Sequence, residues 1–190
     1  YRGKKAMSEG KISEKTWNQI SDWLIWVLYA MVDQKNIKFK PSEVCKLLRG
    51  QVNEAQVTQA MNKLIQAGDI KVDPDTLVAE RTSKTMSGLE NVPAELIRKI
   101  QSELIYLGLE SLHKYGPQER EVSGFTMAMT EKEFEWVRFE LRKLRKHIQK
   151  EISMKREEDL GDRVYQVNIQ LFPVTDEKMG VEDEFRPIEL

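Results

Sequence analysis

The chain has 190 residues, 40% of them apolar, which is enough to close a core in one domain or two small ones and excludes disorder throughout. Thirty Lys and Arg against thirty-one Asp and Glu leave a formal charge of -1, so bulk charge draws it to neither nucleic acid nor an acidic membrane, and any such attraction has to be local. One cysteine, Cys45, cannot close an internal disulfide, and with His113 and His147 it makes no metal-ligand spacing; no metal and no cofactor is expected.

Residues 1–12 carry Lys4, Lys5 and Lys11 without periodicity and read as a linker or arm. No apolar block follows Lys4 and Lys5, so no export signal is read and a cytoplasmic location is expected. A chain opening on Tyr1 is expected to follow an upstream segment. Ser13 offers an N-cap, and Trp17, Ile20, Leu24, Val27 and Met31 recur at steps of three and four, with Trp23, Trp26 and Ala30 as a second stripe. The run from Trp23 to Val32 is about half the length of a membrane span, which predicts a buried helix and no membrane association.

Pro41 suits a first helical position, with Val44, Leu47 and Leu48 facing inward until Gly50. Asn53 and Gln56 make a capping pattern for a third helix that buries Val57, Met61, Leu64 and Ile65 and stops at Gly68. Short strands at 69–72 and 76–80 flank the turn Asp73-Pro74-Asp75. Three helices and a hairpin are the winged-helix plan, here over residues 13–81. In that plan the third helix enters the major groove, which makes Gln56, Gln59, Asn62 and Lys63 the candidate DNA-reading side chains. The charge argues the other way: residues 16–81 hold eight basic and eight acidic side chains, with Asp73 and Asp75 at the wing tip. Packing or protein contact is the favoured use of the module.

Residues 82–92 are polar and read as a linker, ahead of an α/β regulatory or dimerisation domain over 93–173. Its first helix, from Pro93, turns Leu96, Ile97, Ile100, Leu104, Leu107 and Leu112 inward and stops at Gly116-Pro117. Alternation predicts a strand over 122–129 and a cleaner one over 164–172. Between them Thr130 and Glu133 cap a helix to about Lys155, with the seam Phe134, Val137, Leu141, Leu144, Ile148 and Ile152. The expected class is α+β, a winged-helix N-terminal part followed by long helices and a right-handed strand-helix-strand crossover. Two strands alone are marginal, so the sheet has to gain strands from the wing, from another element or from a second copy; the uncharged polar side of the last strand, Gln166, Asn168 and Gln170, suits packing and makes a homodimer the expectation. Residues 174–190 carry a net -4 and read as an acidic tail.

The one strong local field is the net +6 from Arg138 to Arg156. A solvated helix or a dock for the acidic tail accounts for it; the functional alternative is an anion or phosphate contact through Arg138, Arg142, Arg145 and Lys146. No phosphate loop, nucleophile elbow or HExxH occurs, and no enzyme is expected.

Three blocks, HKYGPQERE at 113–121, FTMAMTEKEF at 125–134 and RVYQVNIQLFPV at 163–174, resemble the C-terminal domain of unknown function of a bacterial family inferred to be transcriptional regulators, over roughly Trp17 to Thr175. In that family a short repressor-like helix-turn-helix normally precedes the domain. The resemblance implies a cytoplasmic, non-enzymatic regulatory or dimerisation part, homodimeric, reaching DNA through an upstream domain absent here or weakly through the wing. It brings no catalytic residues. The alternative is a protein-protein interaction adaptor that does not contact DNA.

Overall fold

An apolar run without a polar face can be solvated on no side, and α1 (Trp23–Met31) lies accordingly at the centre of the core. The computed structural model describes residues 23–48, 51–82 and 94–176. The arm 1–12, Ser13, Trp17, Ile20, Gly50, Pro93, most of the 82–92 linker and the tail from 177 lie outside the described residues. Leu24, Ile25, Leu28, Tyr29 and Met31 of α1 are buried, while Trp23, Trp26 and Val27 are half-buried against the same core. The buried face thus includes Ile25 and Leu28, which the predicted stripes omit. A helix apolar all round carries little directional signal.

Pro41 opens α2 (Pro41–Leu47), and Asn53 caps α3 (Glu54–Ala67) through the full box. The Asn53 side chain accepts from the Gln56 backbone at 2.9 Å, and Gln56 Oε1 accepts from the Asn53 N–H at 2.9 Å. Asn53→Ala is expected to cost about 1 kcal/mol, read from the urea midpoint; a shift of a few tenths or less would mean the cap is idle. Val44 and Leu48 of the second helical turn, with Val57, Ala60, Met61 and Leu64 of α3, complete the core. Leu47 and Ile65, expected inward, are exposed, each lying one residue off the buried row. Gly68 ends α3 with φ 77°, the left-handed conformation that glycine adopts without a Cβ clash.

The chain then forms an antiparallel hairpin of β1 (Ile70–Val72) and β2 (Ala79–Arg81), with Val72 opposite Ala79. Asp73 holds the tip by accepting from the backbones of Asp75 and Thr76 and from the Thr76 hydroxyl. The second strand begins three residues later than alternation predicts, because Leu77 takes a left-handed turn conformation, φ 60°. The segment between α1 and α2 joins the hairpin: the Phe39 N–H donates to the Leu77 carbonyl at 2.8 Å.

The second half is built differently. α4 (Ala94–Lys114) ends at the predicted Gly116-Pro117 stop, followed by a 3-10 turn over Pro117–Glu119. An extended segment, residues 120–130, leads to α5 (Glu131–Glu158), which carries the predicted Thr130–Glu133 capping box and spans about 42 Å at 1.5 Å per residue. Ile100 is the one buried side chain among the described residues from 94 onward. Neither 122–129 nor 164–172 is a strand: both lie outside helix and sheet, and β1-β2 is the only sheet among the described residues. The strand-helix-strand crossover is therefore not formed among the described residues. Period-two alternation specifies an extended backbone, whereas a strand also needs a free edge to bond.

Candidate functional site

The predicted reading face of α3 is present but partly committed. Gln56, Gln59 and Asn62 are exposed, Lys63 is half-buried, and helical steps of three and four bring the four to one side. Gln56 already spends its carbonyl oxygen on the N-cap. Across the hairpin the Asp73 carboxylate is held below its usual range by its bonds to Thr76, so the hairpin tip is firmly anionic.

The basic face of α5 is open. Arg142, Arg145 and Lys146 are exposed and make no ion pair among the described residues; Arg138 pairs with Glu135 and stands 5.6 Å from the Phe134 ring centroid. Lys143 and Glu140 are 3.8 Å apart. Spacings of three and four between opposite charges are those of a solvated helix. Binding to unspecific duplex DNA is expected to show the same salt slope for the wild type and for Arg142→Ala with Arg145→Ala. A slope shallower by about 1.8 in the variant would mean that both side chains contact phosphate.

The two halves meet at a backbone clasp. The turn at Asp33–Lys35 exchanges bonds with Gly161: the Gly161 N–H donates to the Asp33 carbonyl at 2.7 Å, and the Lys35 N–H to the Gly161 carbonyl at 2.8 Å. Lys35 Nζ reaches Asp159 at 3.0 Å and Asp162 at 3.5 Å. The Asp159 bond holds the Lys35 ammonium above its usual value, and the same bond holds the Asp159 carboxyl below its own. The Asp159 contribution is present above about pH 4 and fades as pH falls through the lowered value; that of Lys35 is present below about pH 10 and fades as pH rises through the raised one. Both groups are exposed, so the clasp rests on its backbone bonds. Nearby, Arg81 links the hairpin to α1, pairing with Asp33 at 2.9 Å over the Tyr29 ring. At the other end of α1, the Trp23 N–H donates to Glu103 of α4 at 3.1 Å.

Arg163 starts the last extended segment beside the end of α4, 3.1 Å from Glu119, whose bond holds the guanidinium above its usual value. The segment then returns along α4: Asn168 Nδ2 donates to the Leu104 carbonyl at 2.7 Å, next to Gly108, where a Cβ would lie 3.3 Å from that nitrogen. Gln166 bonds to Asn168 Oδ1 at 3.0 Å. Of the predicted dimer-strand residues, Asn168 is thus spent on its own chain and Gln166 on Asn168.

No group of three His, Cys, Asp or Glu among the described residues could hold a metal, and no helix among them is long and apolar enough to cross a membrane. Two open hollows, of about 280 and 360 Å³, lie along α4, one against His113 and the other beside Trp23. The first is lined by a single helix, so nothing closes over a ligand there.

The structure defines a mixed, helix-rich α+β protein with one small antiparallel sheet among the described residues. The chain belongs to the family described as domain of unknown function DUF4423, matched over residues 3–174. No curated protein and no solved structure matches it.

Proposed function

We propose that this chain is the non-enzymatic regulatory and dimerisation part of a bacterial transcriptional regulator, with a winged-helix-like head and a second half that works by assembly. One observation carries the reading: a core over residues 24–79 stands beside a second half in which Ile100 is the single buried side chain among the described residues. Tyr106, Phe125, Trp136, Phe139, Tyr165 and Phe172 are all exposed. Aromatic side chains bury about 150–250 Å² each, so covering these six, each about two-thirds exposed, removes roughly 600–1,000 Å² per chain, close to the about 800 Å² per partner of a specific interface. A monomer rarely leaves such a surface open. The partner is a second copy of the chain.

The helix order, the hairpin directly after α3 and the Phe39–Leu77 bond support a winged-helix reading of the head. Its balanced charge and the committed Gln56 favour using that head for contact, with DNA reached through an upstream domain. Selection from a random duplex pool with the product of the complete reading frame is expected to enrich a two-fold symmetric site, since a symmetric dimer reads two half-sites. Absence of any enriched site would favour an adaptor that does not touch DNA.

A further inference from the structure

Residues 165–171, YQVNIQL, read almost alike in both directions about Asn168: Val167 mirrors Ile169, Gln166 mirrors Gln170 and Tyr165 mirrors Leu171. The structure ties this segment to α4 through Asn168 and the Leu104 carbonyl and leaves Tyr165 69%, Val167 63% and Ile169 40% exposed, with Gln166 and Gln170 exposed beside them. Residues 164–172 make no backbone–backbone hydrogen bond among the described residues. Apart from the Val167 carbonyl, which accepts from the Gln166 side chain, the N–H and C=O groups of this alternating segment are open, and such a segment is a template for another strand.

We propose that residues 164–172 pair antiparallel with the same residues of a second copy, across a two-fold axis at Asn168. The inference rests on the dimer reading above and names its interface. A two-fold contact has to be self-complementary. About Asn168, Val167 of one copy falls opposite Ile169 of the other, Tyr165 opposite Leu171, and Gln166 opposite Gln170. Apolar side chains thus meet apolar ones and amides meet amides, the pairs that stabilise a ladder. The axis also selects the direction. A two-fold along the strands would turn the apolar face of one copy to the polar face of the other. An axis perpendicular to the ribbon keeps both apolar faces together and makes the strands antiparallel. A lone two-stranded ribbon is marginal, but here α4 of each copy lies under it.

The test uses the full chain with Cys45→Ser, carrying either Val167→Cys or Ile169→Cys at positions already exposed. Residues directly opposite in an antiparallel pair lie about 4.5–5.5 Å apart at Cα, within disulfide reach, while diagonal neighbours lie about 7–8 Å apart. Oxidation of a co-expressed mixture is expected to give a cross-linked dimer of one variant with the other, and each variant alone little or none. Equal cross-linking of each variant alone would overturn the antiparallel register. A chain of dimeric mass with no cross-link in any sample would overturn this interface and leave the dimer standing. A monomeric mass would overturn both.

Discussion

Leu64→Ala is expected to remove about 2–5 kcal/mol from the N-terminal half, read as a lowered urea midpoint at unchanged slope. Leu64 is 1% exposed within a cluster that draws on α1, α2, α3 and the hairpin at once. A cavity there has lining from four elements and little freedom to collapse, which places the cost in the upper part of that range. Leu144 of α5, by contrast, is already about half exposed in the single chain. A change below about 1 kcal/mol at Leu64 would mean that the core over residues 24–79 is loosely packed.

The second large effect is expected on assembly. Val167→Asp with Ile169→Asp places carboxylates opposite each other twice across the proposed two-fold, where the wild type sets Val against Ile. Like charges directly opposite destabilise a ladder, and two apolar pairs are lost as well. The dimer dissociation constant is expected to rise at least about a hundredfold, equivalent to about 2.7 kcal/mol. The unfolding of the N-terminal half should stay unchanged, since both positions lie outside its core. An unaltered dissociation constant would place the interface elsewhere, for example along the exposed Leu144, Ile148 and Ile152 of α5.

What the sequence made readable was local. Both capping boxes, Pro41 at a helix start and Gly68 at a helix end depend on side chains acting within four residues of themselves, and all four stand in the structure. The order of helices and hairpin follows from the same signals. Long-range partners were not readable. The Lys35–Asp159 and Arg163–Glu119 pairs join residues whose charges have no local pattern, and Asn168 finds the Leu104 carbonyl 64 positions away. Segments 122–129 and 164–172 alternate as strands do, but take no strand partner among the described residues. Asn168 of the last segment bonds to a mid-helix carbonyl of α4, a partner that alternation gives no sign of.

That dependence on a second copy is tested most directly by sedimentation equilibrium of the full chain at micromolar concentration. A mass of twice the 22.2 kDa chain is predicted, falling toward one chain on dilution. A mass of one chain at every concentration would contradict the account.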